Sequence, residues 1–453
     1  KMIIHKNETM LLIRTRAPYL SRQRDPHELH HTELSMASHS FSLKPTTVLL
    51  LLLLLLSSFF NNSCAKSKHS RSTNHRRHHV HSHSSSASNA RLQRAYIALQ
   101  AWKKVIYSDP RNFTANWVGP NVCNYSGIYC TAASDDPKIK VVAGIDLNHA
   151  DIAGLLPKEL GLLTDLALLH VNSNRFCGII PDTISNLLLL YELDLSSNRF
   201  VGLFPAVVLS LPSLNYLDLR YNEFEGPLPP QLFQKSLDAI FVNDNNFTSG
   251  IPSLGGSTAS VIVIANNNFQ GCLPATISNL ADTLEELVII NANLTGCLPP
   301  EVGYLYNLRL LDVSHNKIVG PIPYSLAGLA HLEVLNLAYN SMAGLVPEGV
   351  CILPSLSNFT ISYNFFCEEQ GRCVNLTSRG VAFDDRRNCL PHKPAQRSAE
   401  ECTPVIEHPV DCFELCCEEN GGFGSGWGAF PFTPPPLVPA PPLFPPSIAP
   451  IKG

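Results

Sequence analysis

From Val142 to Phe366 apolar residues recur in the order L-x-x-L-x-L, as in Leu308-Arg-Leu-Leu311-Asp-Val313, and the pattern returns about every 24 residues. Apolar residues at alternate positions mark a short strand with one buried face. An asparagine follows each such strand: Asn174, Asn198, Asn222, Asn245, Asn267, Asn316, Asn340 and Asn364. Ala150 and Ala292 hold that position in the first and seventh units, and successive positions are spaced 24, 24, 24, 23, 22, 25, 24, 24 and 24 residues. Two places beyond the asparagine stands an apolar residue. A glycine comes next (Gly154, Gly178, Gly202, Gly226, Gly271, Gly296, Gly320, Gly344, with Ser249 in the fifth unit), then a proline from Pro157 to Pro347.

A repeat of this length and order predicts a leucine-rich repeat solenoid, an α/β fold of about ten repeats with a parallel β-sheet on the concave face. Strands stacked at about 4.8 Å would make it roughly 48 Å long. The leucines point inward, and the asparagine amide turns in to satisfy backbone groups that leave the sheet. Glycine permits a tight turn, and proline stiffens the return path and is expected to reject a helix there. An open first repeat needs a cap. Leu92, Tyr96, Leu99, Trp102 and Val105 have helical spacing within 91–117, so that helix with the pair Cys123–Cys130 makes residues 91–141 an N-terminal helical and disulfide cap before the repeats of 142–366. Beyond Cys367 the repeat stops and cysteines crowd, which reads as a Cys-rich C-terminal cap over 367–420. Residues 421–453 are Gly- and Pro-rich and expected to be disordered, extended chain.

Upstream of the cap, Leu49 to Leu56 is a run of eight leucines, too short for a membrane span. Lys44 before it, with Ser63 and Ala65 at small-residue cleavage positions, makes 36–65 a signal peptide starting at Met36, with 1–35 a non-mature upstream segment. Residues 66–90, rich in His, Ser and Arg, read as a disordered linker. The chain carries a net charge of −4, which says little about partners, and 14 cysteines, which secretion makes readable as disulfides. Cleavage after Ala65 would leave an odd number. A disulfide-linked homodimer through the adjacent Cys416 and Cys417 is one outlet for the odd thiol. Cys272 and Cys297 share one phase in adjacent repeats and are expected to bridge, since equivalent Cα atoms lie near strand spacing. Cys177 has no in-phase neighbour and is expected to be free.

Six sequons start at Asn112, Asn124, Asn246, Asn293, Asn358 and Asn375, of which Asn358 would crowd the sheet face; the other five are the expected glycosylation sites. His27-Glu-Leu-His30-His31 matches a zinc-protease pattern but precedes the signal and lacks a third ligand. No phosphate loop or nucleophile elbow is found, so neither a catalytic site nor a cofactor is expected.

The outward strand positions carry more information. Nine acids, among them Glu192, Asp194, Asp218, Asp238, Asp244, Glu285 and Asp312, face only Arg220 and Arg309, and Tyr221, Phe241 and Tyr339 are interleaved. Outward residues must be polar in any case. Their sign bias and the aromatics point further, to a peptide-binding face for a basic ligand.

The repeat Leu193-Asp-Leu-Ser-Ser-Asn198-Arg-Phe-Val-Gly202 matches the plant-type leucine-rich repeat. Phe383-Asp-Asp-Arg-Arg-Asn-Cys389-Leu-Pro-His-Lys-Pro-Ala-Gln-Arg-Ser398, with Cys402 and Pro409-Val-Asp-Cys412, resembles the Cys-rich hinge of plant leucine-rich repeat extensins. The resemblance implies a secreted cell-wall hydroxyproline-rich glycoprotein. Its repeats would bind basic Cys-rich signalling peptides of the rapid alkalinisation factor type, and its role would lie in wall organisation and integrity sensing. The tail departs from that family: it lacks long Ser-Pro-Pro-Pro-Pro repeats and tyrosine, which puts wall cross-linking in question. Two alternatives stay open: a structural glycoprotein bonded to cell-wall polysaccharide, and an inhibitor of a wall-degrading enzyme such as polygalacturonase.

Overall fold

The structure, a computed structural model, describes residues 89–412. The signal segment, the linker, Cys64, Cys416, Cys417, the zinc-protease pattern and the proline-rich tail lie outside the described residues.

The cap begins with helix α1 (Ala90–Val105), started by Asn89, whose side-chain oxygen accepts hydrogen bonds from the backbone N–H groups of Arg91 and Leu92. α1 buries Ala95, Ala98, Leu99 and Trp102. Trp102 packs edge-on to Trp117 at 6.1 Å and against Phe176 of the second repeat at 5.7 Å, so cap and solenoid share one core. Cys123 is bonded to Cys130 within the cap. After α1 the strand Ile106–Ser108 pairs antiparallel with Ala153–Gly154. A Cβ at Gly154 would sit 2.9 Å from Ile106 Cα, so only glycine allows that approach.

The concave sheet has 12 strands among the described residues. It opens with an antiparallel hairpin, Ile128–Ala132 against Lys140–Asp146, and continues in parallel register through every repeat. A second sheet runs along the flank, seven strands from Ile106–Ser108 to Asn268–Phe269 and three more from Val319 to Glu369. Sequence patterning does not predict it, because residues between the asparagine and the proline show no two-residue alternation. Apart from Gly154, the glycine column lies at or just beyond these flank strands at positive φ, from 69° at Gly296 to 97° at Gly344. Proline acts opposite to expectation: Pro157, Pro181, Pro205, Pro229, Pro274, Pro299 and Pro323 each immediately precede a short 3₁₀ helix on the convex side. Its fixed φ suits a helix start, where a missing N–H costs nothing. After Pro252, in the 22-residue repeat, no such turn forms.

The asparagine ladder is a hydrogen-bonded spine. Asn222 donates through Nδ2 to the carbonyls of Leu195, Leu219 and Arg220 at 3.0–3.2 Å and accepts from the Phe200 N–H at 3.0 Å. Each rung thus ties two repeats. Beside it Phe176, Phe200, Phe224, Phe247 and Phe269 are buried in file, neighbours such as Phe200 and Phe224 stacking at 6.3 Å. At the Ala292 gap the Phe269 N–H turns to the Ala292 carbonyl at 3.0 Å instead.

The ladder does not end at Asn364. Asn388 donates to the Ile361 and Asp385 carbonyls and accepts from the Phe366 N–H at 3.1 Å, and Ala382–Asp384 adds a parallel strand to the concave sheet. The repeat therefore runs one turn past Cys367. Its rung was hidden because no proline or glycine follows at the usual places. The hinge packs on this last turn. Lys393 bridges Glu369 (2.6 Å) and Asp385 (2.5 Å), Gln396 Oε1 accepts from the Asn388 N–H, and Arg397 lies 4.2 Å over the Phe365 ring. Ser398 and Glu401 form a capping box that starts helix α2 (Ala399–Ile406).

The expected Cys272–Cys297 bridge is not formed. Cys297 is bonded to Cys412, while Cys351 pairs with Cys373 and Cys389 with Cys402. In-register side chains on parallel repeats point the same way, and Cys297 Sγ reaches forward over Gly320, not back to Cys272. Cα spacing alone does not make a disulfide, which also needs Cβ vectors that point toward each other. Cys177 and Cys272 are both disulfide-bonded, so Cys177 is not free. Cys367 is the free cysteine among the described residues.

Candidate functional site

Strand register sorts the concave face into three zones. Asp146, His170, Asp194, Asp218, Phe241, Val263, Val288, Asp312, Asn336 and Thr360 form one row across consecutive repeats. The parallel row two residues earlier contains Glu192, Tyr216, Ala239, Val261 and Glu286.

The first zone is acidic and built around a buried carboxylate. Asp218 is completely buried, with Arg220 Nε at 2.9 Å, the Tyr216 hydroxyl donating to it at 3.3 Å and the Arg220 N–H at 3.1 Å. Burial, reinforced by the charge of Asp194, pushes its carboxyl up to about 7, against the opposing pull of Arg220. Burial and the same carboxylates push the Tyr216 hydroxyl up too. The Arg220 guanidinium lies 4.8 Å over the Phe241 ring. Glu192 is also buried, 3.0 Å from His170 Nε2. Burial lowers the His170 pKa, but Glu192, Asp194 and Asp146 outweigh it and the balance is upward. Asp194 accepts from the Ser196 N–H and hydroxyl.

The second zone was not expected. Ala239, Phe241, Val261, Val263 and Val288 are apolar and at most 6% exposed. Phe241 is therefore part of a buried apolar centre and not an exposed aromatic; Glu192 and Asp218 are likewise not open to solvent. The signal was present in Ala239-Ile-Phe-Val242, Val261-Ile-Val-Ile264 and Leu287-Val-Ile-Ile290, runs apolar on both strand faces, as in sheets covered on both sides. Asn243, 2% exposed, leaves its Oδ1 without a hydrogen bond, although its Nδ2 reaches Asp244.

In the third zone Asp312 accepts from the Ser314 N–H and from Asn336 Nδ2 at 2.9 Å, and burial raises its pKa. Arg309 spans Glu285 (3.7 Å) and Glu333 (2.6 Å). His315, Tyr339 and Tyr363 stack face to face at 4.2 Å along the rim. Each holds a positive φ of 54–60°, as do Tyr221 and Asp244 further back in the same column. Asp238 is exposed at the opposite edge. The structure thus groups Glu192, Asp194 and Asp218, sets Tyr221 beside Asp244, and holds Glu285, Asp312 and Tyr339 apart. Asp194 and Asp312 are five strands apart, about 24 Å at the usual strand spacing.

The sequon asparagines Asn112, Asn124, Asn246, Asn358 and Asn375 are exposed, whereas Asn293 is half-buried and donates to Asn268 Oδ1 and the Phe269 carbonyl. No helix among the described residues is long and apolar enough to cross a membrane.

Comparison with known proteins agrees with this architecture. The leucine rich repeat family matches residues 164–224, 189–247, 283–342 and 306–366. The chain is 63% identical over 331 residues to leucine-rich repeat extensin-like protein 6 of Arabidopsis thaliana, covering 73% of this chain and 70% of that one. It is 61% identical to leucine-rich repeat extensin-like protein 4 of the same plant, over 77% of this chain and 68% of that one. Among solved structures, the Arabidopsis receptor kinase HAESA, in complex with the peptide hormone IDA and the co-receptor SERK1, superposes with a TM-score of 0.58 at 26% identity. That match covers 65% of this chain and 50% of HAESA.

Proposed function

The chain belongs to the leucine-rich repeat extensin-like family of plant proteins, and from that premise we propose that it is a secreted cell-wall protein whose concave face captures a basic, Cys-rich signalling peptide of the rapid alkalinisation factor type. The observation that carries this reading is the order of zones along the face: acidic, then apolar, then acidic and aromatic. A ligand matching it has cationic groups about 24 Å apart and an apolar centre between them. The flanking carboxylates supply steering and register, and the apolar centre, already buried, offers the ligand a neutral stretch between them. The HAESA ectodomain, crystallised with a peptide hormone, supports peptide binding as the use of this kind of surface. Capture of a peptide in the wall is also the step that links such a protein to wall organisation and integrity sensing.

The test is titration calorimetry of the secreted chain with a basic, disulfide-bonded peptide. Asp194→Lys with Asp312→Lys should weaken binding at least tenfold and leave the fold intact, because neither residue belongs to the asparagine ladder or the phenylalanine file. Unchanged affinity would rule out the concave site. Inhibition of polygalacturonase by the same protein, with no peptide affinity, would favour the inhibitor reading.

A further inference from the structure

The concave face ends in an apolar pair that none of the three zones uses. The row containing Glu192 and Tyr216 runs on, one residue per repeat in parallel register, through Glu286, Leu310, Val334, Asn358 and Ala382. Leu310 and Val334 are half-buried, and Asn358 and Ala382 are exposed. Outward positions of a sheet with a solvated face are polar as a rule, so two neighbouring apolar side chains there call for a cover. Asn358 stands next to them on the last strand but one of the sheet.

Asn358-Phe-Thr360 is a glycosylation sequon. Its amide is open to modification: Asn358 Oδ1 accepts from the Thr360 hydroxyl at 3.3 Å, and Nδ2 donates to no group among the described residues. Asn293 is the opposite case. Its Nδ2 donates to Asn268 Oδ1 at 3.1 Å and to the Phe269 carbonyl at 3.0 Å, which engages both of its hydrogens. A sugar on Nδ2 replaces one hydrogen, so it costs Asn293 a hydrogen bond and Asn358 none. Crowding at Asn358 is also limited. Asp312 lies two strands back, about 10 Å at strand spacing, and in the next row.

We propose that Asn358, and not Asn293, carries an N-linked glycan, and that its first sugars fold back over Val334 and Leu310. The transfer joins Asn358 Nδ2 to the anomeric carbon of an oligosaccharide held on a lipid diphosphate. The carbon–oxygen bond to the diphosphate breaks, the lipid diphosphate leaves, and the amide loses one proton. A pyranose ring offers C–H groups on its face and hydroxyls round its edge. Behind Asn358 the apolar pair takes that C–H face, since covering apolar surface is favourable. Ahead of it, beside Ala382, stands the Asp384–Arg386 ion pair at 2.8 Å, a charged surface that gives a C–H face nothing to cover. The glycan therefore closes the C-terminal end of the concave face. On the concave-site reading above, on which this consequence rests, it confines a peptide to the strands from Asp194 to Asp312.

Measurements on the secreted full chain test this. Glycopeptide mapping should find sugar on Asn358 and none on Asn293; an unmodified Asn358 or a modified Asn293 overturns the proposal. Hydroxyl-radical footprinting reads the cover directly. Leu310 and Val334 should oxidise several-fold less in the wild type than in Thr360→Ala, which loses the acceptor sequence. Thr360→Ser, which keeps it, should match the wild type, and Val118, 73% exposed on the N-terminal cap, should oxidise equally in all three. Equal oxidation of Leu310 and Val334 with and without the glycan overturns it. Affinity for a basic, disulfide-bonded peptide should differ less than threefold between the wild type and Thr360→Ala. A tenfold gain on losing the glycan would place the sugars on the peptide's own footprint and overturn the boundary. Absence of peptide binding in both proteins would sink the concave-site reading alone, and the footprinting would still decide the glycan.

Discussion

At the residue scale the decisive group is Asp218. It looked like one outward acid among nine, yet it is completely buried with Arg220, Tyr216 and the charge of Asp194 around it. Its carboxyl rises to about 7 when folded, against about 3.9 in an unfolded chain. The folded state therefore binds a proton that the unfolded state has released between those values. This group's contribution to stability is full below pH ~4 and is lost as pH rises toward 7. Asp218→Asn should remove that slope, so the melting temperature of the variant should gain on the wild type as pH goes from 4 to 7. A constant difference across that range would show that Asp218 does not titrate there. The alternation of polar positions marked Asp218 as outward. Beside it stand Phe241 and Asp194, residues of the adjacent repeats that meet it only through strand register, and Tyr216 of its own strand.

At the element scale the rung is the unit. Removing Asn222 leaves the Phe200 N–H without its acceptor, while the Leu195, Leu219 and Arg220 carbonyls keep Asn198 Nδ2, Asn245 Nδ2 and the Ser197 N–H; the cost is about 1–3 kcal/mol for a buried group left unpaired. Asn222→Ala should show that loss in chemical denaturation. Asn388→Ala should show one of similar size, because Asn388 makes the same bonds from within the hinge. If Asn388→Ala proved neutral, the hinge would not be an eleventh turn. The ladder itself was readable from its period. Its last rung was not, since Asn388 lies among cysteines and charged residues and its role appears only when Phe366 and Ile361 are seen beside it. The flank sheet escaped for a related reason: its strands are held by neighbours one repeat away, which leaves no alternation in a single repeat.

At the scale of the whole molecule, two features act over long separations. The Cys297–Cys412 bond closes a loop of 115 residues and pins the hinge to the flank. Cys297→Ser should release it, with a stability loss of up to about 5 kcal/mol by loop entropy and rapid protease cleavage between α2 and Cys412. Undiminished protease resistance would mean that packing alone holds the segment. The concave face likewise acts as one surface about 24 Å across. A peptide carrying only one of its two basic ends should bind at least tenfold more weakly than the intact ligand, and affinity should fall as salt rises. Sequence alone determined the repeat, its strand phase and the inward leucines, because each is set by residues a few places apart. Tertiary structure decided which outward acids are buried, where the apolar centre lies, how proline is used and which cysteines meet. Those depend on side-chain direction and on neighbours one or more repeats away, which spacing along the chain does not specify.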